Sequence, residues 1–348
     1  MSVKMNVIRK LLKLKKDSDI KKNNKKEVVS TYDILKLSFD SRDTFKVIKD
    51  IALKEMVVKQ TTIAGVDCLD VKPNFKLKYF AGTPKNPYHL FFYVHGGGFV
   101  GGFKEQGAYQ LKAMARRLGC SAISVGYSLS PEATYPTALN ELVDVYKEVI
   151  KTYNPNKIIL GGESAGGNLC LALMLKLKEL GLPQPKVAVI SAGFLDLTNS
   201  GESRAQNENT DCTLSAEQLK HMALLYVAGN NEATKEHFEL LKTPLVSPVF
   251  GNYEGLPPMF FSVCTDELLY SDTLMAYNNC LRDNIETDLH LAQNCFHAHL
   301  NLGDFFEESK VACNQMAKFV AKVLNLNNVR LIAERKVKKI NHKQNNKM

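Results

Sequence analysis

A serine between two glycines is the first feature of this sequence that could do chemistry. Ser164 lies in the run Gly-Glu-Ser-Ala-Gly at residues 162–166, which follows the apolar residues 158–160 and precedes an apolar, helix-like stretch at 169–174. A strand that turns this sharply into a helix leaves no room for a Cβ two residues before or after the serine, and holds the serine at a strained φ. The context predicts a nucleophile at Ser164.

A glycine-rich turn lies upstream of this serine. Residues 88–94 read as a buried strand, and His95, Gly96, Gly97 and Gly98 follow it directly. Attack of a serine on an acyl carbon produces an oxyanion, and one backbone N–H aimed at that charge contributes roughly 3–4 kcal/mol. Glycines let backbone N–H groups approach a substrate with no side chain between them. These four residues and Ala165, which follows the serine, are therefore the predicted oxyanion hole.

A serine hydroxyl needs a base at pH 7, and the base needs an orienting acid. Asp266 comes directly after the predicted strand 258–264, and a parallel sheet places its site at the carboxyl ends of its strands. We therefore predict Asp266 as the acid. Its alternative role is to cap the following helix, and Glu267 and Asp272 are rivals by proximity.

The base should follow the acid in the chain. Four histidines do so, but His290 lies inside a strand-like run and His342 in the polar tail. His297 and His299 lie in the loop after the last predicted strand. From the residues alone, the base is one of these two. No spacing of histidine and cysteine suggests a metal site, and nothing indicates a cofactor.

Strands and helices alternate from residue 88 onward, which predicts an α/β fold whose mostly parallel sheet is covered by helices on both faces. Residues 31–60 read as helix-like, and 57–70 and 75–80 as strands. A further strand is expected at 88–94. Beyond it we expect helices at 105–118, 137–153, 165–180, 269–282 and 307–324. The strands expected between these helices lie at 120–127, 158–160, 187–191, 259–264 and 287–291.

The formal charge of +9 over 348 residues is confined to the two ends of the chain. Residues 1–26 carry +8 and residues 330–348 carry +6, which leaves −5 for the rest. A mildly acidic body argues against nucleic acid as a partner. The polar tail 331–348 is predicted to be disordered.

The eight cysteines occur singly, several of them in apolar runs, where free cysteine packs as a small hydrophobe. No apolar run is long enough to span a bilayer, and the charged N-terminus has no uninterrupted apolar segment, so we expect no secretory signal and a reduced, soluble, cytoplasmic protein. Residues 1–16 mix six basic residues with apolar ones. Such a helix could lie on an anionic membrane, but packing on the body, or a solvated tail, is the favoured interpretation.

Several motifs together resemble the hormone-sensitive lipase family of α/β hydrolases, which includes arylacetamide deacetylase and many microbial esterases. The resemblance covers residues 88–324 and extends over His-Gly-Gly-Gly-Phe at 95–99, Tyr-Ser-Leu-Ser-Pro-Glu at 127–132, the serine motif, Asp-Glu-Leu at 266–268 and Phe-His-Ala-His at 296–299. This chain has Ser128 where the family usually has arginine, Glu163 for aspartate, and His299 in a slot usually held by Phe or Trp.

The resemblance implies an α/β-hydrolase fold and hydrolysis of small acyl esters through an acyl-enzyme. In that scheme Ser164 attacks the acyl carbon, His297 carries protons, Asp266 orients His297, and the N–H groups of Gly96, Gly97 and Ala165 hold the oxyanion. The family pattern is what favours His297 over His299.

It also implies a cap over the site. The expected organisation is a basic segment at 1–30, a cap region at 31–75, a hydrolase domain at 76–330 with a cap insertion around 193–245, and a basic tail at 331–348. Two other functions stay open: a non-catalytic small-molecule receptor on the same fold, and an amidase or deacetylase. The oligomeric state is not predicted.

Overall fold

The computed structural model describes residues 2–23 and 53–333. Of the helix-like region expected at residues 31–60, residues 31–52 lie outside the described residues, as does most of the basic tail, and residues 56–60 belong to a strand. The α-helices of the described part are α1 (Val3–Asn23), α2 (Ala108–Leu118), α3 (Thr137–Val149), α4 (Ala165–Glu179), α5 (Ser203–Gln206), α6 (Ala216–Ala228), α7 (Lys235–Leu240), α8 (Tyr270–Arg282) and α9 (Glu307–Val323). The strands are β1 (Met56–Ile63), β2 (Val66–Pro73), β3 (Leu90–Val94), β4 (Ser121–Gly126), β5 (Ile158–Glu163), β6 (Val187–Ser191), β7 (Met259–Cys264) and β8 (Thr287–Ala292).

These strands form a single eight-stranded sheet in the order β1-β2-β4-β3-β5-β6-β7-β8. Strands β3 to β8 pair in parallel, whereas β2 pairs antiparallel with both β1 and β4. The central strands β3, β5, β6 and β7 are buried along their whole length, as expected for strands covered on both faces. The predicted α/β class, with a mostly parallel sheet covered by helices on both faces, is confirmed.

The N-terminal part of the sheet differs from its prediction. The single strand expected at 57–70 is a hairpin, because Ala64 and Gly65 both adopt positive φ and reverse the chain between β1 and β2. The strand expected at 75–80 is a 3-10 turn, Lys78–Phe80. Residues 56–73, which the prediction placed in the cap region 31–75, therefore contribute two strands to the main sheet.

Two large apolar clusters cover the two faces of the sheet. One packs α3 and α4 against residues such as Phe92, Leu160 and Phe261. The other packs α2 and α9 against residues such as Phe91 and Phe260. Neighbouring residues of one strand contribute to opposite clusters because successive side chains point to opposite faces. The core therefore fixes the carboxyl ends of β5, β7 and β8 relative to one another.

Helix α1 packs on the body by one face. Met5 is fully buried in a small cluster with Cys264, Cys295 and Phe306, and Ser2 donates a hydrogen bond from its hydroxyl to Glu308 at 2.9 Å. This is the packing favoured from the sequence, and the other face of α1 is exposed to solvent.

All eight cysteines are buried and unpaired. Within residues 2–23 and 53–333, none of the helices has both the length and the apolar character needed to cross a bilayer.

Candidate active site

Ser164 occupies the sharp turn between β5 and α4. Its φ of 53° and ψ of −123° lie in a region that residues other than glycine rarely adopt. Backbone hydrogen bonds hold this conformation: the Ser164 N–H donates to the Ser191 carbonyl at 2.9 Å, and its carbonyl accepts from the Phe194 N–H at 3.0 Å. The Ser164 hydroxyl therefore lies on a turn whose strained backbone is held by hydrogen bonds at both the N–H and the carbonyl of Ser164.

The flanking glycines are required by close backbone contacts. A Cβ on Gly162 would lie 2.6 Å from the Gly166 carbonyl oxygen, and one on Gly166 would lie 2.2 Å from the Val94 carbonyl oxygen. Neither neighbour is a flexible side chain that could move away. This is the steric reason for the glycines on both sides of Ser164, as the motif predicted.

His297 is paired with Glu267. The Nδ1 atom of His297 lies 2.6 Å from Oε2 of Glu267, and Oε1 of Glu267 accepts the Cys264 backbone N–H at 2.7 Å. The Glu267 side chain is 2% exposed and that of His297 is 13% exposed. Glu267 therefore has both carboxylate oxygens occupied, one of them by the imidazole.

The prediction of Asp266 as the partner of His297 is thus wrong in the geometry. The carboxylate of Asp266 accepts from Nη2 of Arg9 at 2.8 Å and from the Thr265 hydroxyl at 3.1 Å. After β7 the chain turns so that residue 266 faces α1 while residue 267 faces inward to His297. Glu267, which the sequence left as a rival, is the acid beside the imidazole.

The pKa values of this pair follow from burial and mutual contact. Burial is the largest influence on Glu267 and raises its pKa, against the opposing effect of His297. For His297 burial alone would lower the pKa, but the hydrogen bond and charge of Glu267, with smaller contributions from Asp211 and Glu163, raise the pKa above its ordinary value of 6.5. Glu267 therefore stabilises the imidazolium form of His297.

The other rivals for acid and base are bound elsewhere. Asp272 is fully buried, forms an ion pair with Arg204 at 2.9 Å and accepts the backbone N–H of Leu195 at 2.9 Å, so it orders the chain after β6. His299 is 1% exposed, and burial with the neighbouring His290 and His297 lowers its pKa to about 3. Within the described residues, neither Asp272 nor His299 forms a side-chain hydrogen bond with Glu267 or His297.

The glycine turn at 95–98 divides into a buried part and a part that faces the cavity. Gly96 donates its N–H to Oε1 of Glu163 at 2.8 Å, so this donor is already used, contrary to its predicted role in an oxyanion hole. His95 is 1% exposed and stacks on Tyr127 with ring centroids 4.3 Å apart. His95 and Gly96 therefore hold the turn through buried contacts and are not part of the cavity wall.

Gly97 and Gly98 line the cavity next to Ser164. They adopt φ values of 117° and 62°, and within the described part of the chain no acceptor takes either N–H. Ala165 is the first residue of α4, so its N–H belongs to the helix-end groups that have no partner inside the helix. Three N–H groups therefore remain available around the serine.

Glu163 anchors this turn beneath the serine. It is 1% exposed and accepts from the Tyr93 hydroxyl, the Gly96 N–H and Nε2 of Gln106, the last at 3.1 Å. Burial raises the pKa of Glu163 to about 7, although the hydrogen bonds from Tyr93 and Gly96 counteract the rise. The glutamate that departs from the family's usual aspartate thus ties β5 to the glycine turn.

A cavity of about 390 Å³ joins these groups. Ser164, His297, Gly97 and Gly98 lie in its wall, and residues from 213–222 of the expected cap insertion also line it. Its apolar lining includes Val100, Phe194, Leu214, Leu219, Met222 and Phe296. The volume is at the lower end of the range for small-molecule sites, about 300–1,000 Å³. The arrangement suits a small ligand with an apolar part.

The sequence missed three features of this site. Glu267 was present only as a rival, and no local pattern separates it from its neighbour Asp266. Met222 packs directly over Gly98, where an added Cβ would lie 2.2 Å from its sulfur, and this contact joins residues 124 positions apart. Arg9, in the basic segment, reaches the loop that bears the acid.

A family model described as alpha/beta hydrolase fold matches residues 91–301 of this chain. Among curated proteins, an esterase of Acinetobacter venetianus is 30% identical over 231 residues, which is 66% of this chain and 74% of the relative. An acetyl-hydrolase of Streptomyces hygroscopicus is 29% identical over 181 residues, 52% of this chain and 58% of the relative.

Solved structures of hormone-sensitive lipase homologues have the same fold as this chain. The hormone-sensitive lipase homologue EstE7 from a metagenome library superposes with a TM-score of 0.70 at 25% identity, covering 85% of this chain and 99% of its own. An esterase from the bacterial hormone-sensitive lipase family superposes with a TM-score of 0.74 at 23% identity over 93% of this chain and 99% of its own, which supports the fold.

Proposed function

Since this chain belongs to the alpha/beta hydrolase fold family and is a carboxylesterase-like hydrolase of the hormone-sensitive lipase type, we propose that it cleaves small esters through an acyl-enzyme on Ser164. The observation that carries this proposal is the 2.6 Å contact between His297 and the buried Glu267, in a cavity whose wall also contains the strained Ser164. The acid in this triad is Glu267, not Asp266.

In the first half of the reaction His297 takes the Ser164 proton through Nε2 as the hydroxyl oxygen attacks the acyl carbon. Glu267 holds Nδ1–H and stabilises the imidazolium that forms. The imidazolium then protonates the departing alcohol, and the C–O bond of the ester breaks to leave the acyl group on Ser164. In the second half His297 activates a water, which releases the acid and restores the serine.

The oxyanion of each tetrahedral intermediate is held by the N–H groups of Gly97, Gly98 and Ala165. This assignment moves the hole one residue along the glycine turn from the predicted Gly96, because the Gly96 N–H is bound to Glu163. Fixed donors that cost no reorganisation during the reaction are usually the largest contribution to such catalysis.

The substrate class follows from the cavity. A volume of about 390 Å³ with an apolar lining fits an ester with a short acyl chain and excludes a long extended one unless the cap moves. We expect turnover of p-nitrophenyl acetate and butyrate, and much slower turnover of the decanoate.

The test compares the wild-type protein with Ser164→Ala on the same esters. Loss of turnover in the variant, with a formed acyl-enzyme seen by mass spectrometry only in the wild-type protein, supports the proposal. Turnover that survives in Ser164→Ala would refute it. Tight binding of the ester analogue without turnover by the wild-type protein would favour the receptor alternative.

A further inference from the structure

Arg9, in the basic N-terminal helix, lies between the two loops that carry the proposed acid and base. Its Nη2 donates to Oδ2 of Asp266 at 2.8 Å, and its Nη1 donates to Oδ1 of Asn294 at 3.0 Å. The side chains of Arg9 and Asp266 are only 17% and 23% exposed. The guanidinium is therefore a partly buried bridge rather than a solvated surface charge.

The two ends of this bridge are close in sequence to the proposed catalytic pair. Asp266 lies in the loop at residues 265–269, hereafter the acid loop, and is directly followed by Glu267. Asn294 lies in the loop at residues 293–298, hereafter the histidine loop, and precedes His297 by three residues. The separation of Glu267 and His297 therefore depends on how these two loops are held together.

Besides the Glu267–His297 hydrogen bond, the packing of Cys264 against Cys295 and a backbone hydrogen bond join these two loops. At their base, the Thr265 N–H donates to the Ala292 carbonyl at 2.9 Å. On its other side the acid loop is held by Asn207 and Thr210, which bind its backbone carbonyls. Asn294 adopts a φ of 55°, and its side-chain oxygen accepts a hydrogen bond from Nη1 of Arg9.

Arginine is suited to this place because its planar fork offers two N–H groups to two acceptors at once, whereas lysine offers a point charge. Met5, one turn before Arg9, is fully buried beside Cys264 and Cys295, so α1 is seated where both loops begin. The guanidinium is thus held in position by the packing of its own helix.

We propose that Arg9 is a positioning residue that holds the acid loop and the histidine loop at the separation needed for the Glu267–His297 hydrogen bond. The inference rests on the proposed function, since it concerns the same pair. It gives the basic N-terminal helix a role in the chemistry although α1 contributes no residue to the cavity wall.

The test uses the full-length chain and the variant Arg9→Gln, with Lys13→Gln as the matched control. Lys13 is on the same helix and donates to the Asn209 carbonyl at 3.0 Å, so each variant removes one positive charge and the hydrogen bonding of one side chain between the helix and the body. We expect kcat on p-nitrophenyl butyrate to fall about tenfold or more in Arg9→Gln, with KM within about twofold, because a misplaced catalytic group costs rate rather than binding. Lys13→Gln should retain wild-type kcat.

The pH profile separates positioning from a simple charge effect. Glu267, Asp211 and Glu163 are the acidic groups that act on His297, and His299 is its neighbouring imidazole. If the bridge positions Glu267, its loss weakens the contact that raises the pKa of His297, so the acidic limb of kcat/KM moves to lower pH. Removal of a nearby cation alone would move that limb to higher pH, which would contradict the proposal.

Arg9→Lys keeps the aliphatic stem and the charge, and it serves if Arg9→Gln does not fold. We expect the melting temperature of Arg9→Lys to lie within a few degrees of the wild-type value. Its kcat should lie between those of Arg9→Gln and the wild-type protein, because one ammonium group cannot hold both acceptors as the planar guanidinium does. Wild-type kcat and pH profile in Arg9→Lys and Arg9→Gln would overturn the bridge. An inactive wild-type protein would instead overturn the proposed function.

Discussion

Replacement of Glu267 by glutamine is the sharpest test of the proposed triad, because the structure determines which way the new amide must face. One carboxylate oxygen of Glu267 accepts the Cys264 N–H at 2.7 Å, and the other lies 2.6 Å from Nδ1 of His297. An NH2 group against the Cys264 N–H would set two donors against each other. The amide oxygen therefore stays at Cys264, and the NH2 group faces the imidazole.

This orientation places His297 in the wrong tautomer. Nδ1 must then accept the amide proton, so the ring carries its own proton on Nε2, where it cannot take the proton of Ser164. The same carboxylate-to-amide change in a Ser-His-Asp triad lowers kcat by about 10⁴ through the wrong tautomer. At about 1.4 kcal/mol for each factor of ten, this is about 5 kcal/mol of transition-state stabilisation, and we expect a loss of kcat of that order in Glu267→Gln. KM should change by less than about threefold, since Glu267 does not touch substrate.

The matched control is Asp266→Asn, which keeps an oxygen for Arg9 and removes only the charge. Its kcat should stay within about tenfold of wild type, because a partly exposed ion pair contributes about 1 kcal/mol or less. Initial rates on p-nitrophenyl butyrate measure both variants, and thermal unfolding shows whether each is folded. Burial raises the pKa of Glu267, so neutral glutamine adds no desolvation cost and the fold should tolerate it. A larger loss in Asp266→Asn than in Glu267→Gln would refute the assignment.

Two further predictions concern pH and the glycine turn. His297 must be neutral to act as a base, and Glu267 raises its pKa above 6.5. Activity should therefore fall as the pH decreases through a value above 6.5. A profile of kcat/KM between pH 5 and 9 whose acidic limb lies below 6.5 would contradict this. Gly98→Ala should lower kcat about tenfold or more, because its φ of 62° costs a side chain about 1–2 kcal/mol and its Cβ would lie 2.2 Å from the Met222 sulfur. Adding Met222→Ala to Gly98→Ala should restore part of the rate. The control Gly255→Ala, at a position with a φ of 77° and open space around it, should leave the rate unchanged. Equal rates for Gly98→Ala and wild type would show that this turn does not hold the oxyanion.

The predictions that agree with the structure rest on local requirements. The elbow at Ser164 needs glycines at fixed offsets because backbone atoms meet there, and the apolar runs of β3, β5, β6 and β7 need cover on both faces. Such constraints act over a few residues, so the pattern of residue types is enough to reveal them. The fold class, the strained serine and the cavity-lining glycines Gly97 and Gly98 were accessible in this way.

The choice between chemically equal neighbours was decided by the tertiary structure. Asp266 and Glu267 are adjacent carboxylates, and which one meets His297 depends on the direction in which the chain leaves β7. Gly96 has a free N–H in the motif but not in the fold, because Glu163 from β5 binds it. Arg9 meets Asp266 across 257 residues of chain. Residue types show which groups can act, but contacts between distant segments decide which of them do, since only packing sets the distance between atoms that the chain does not hold together.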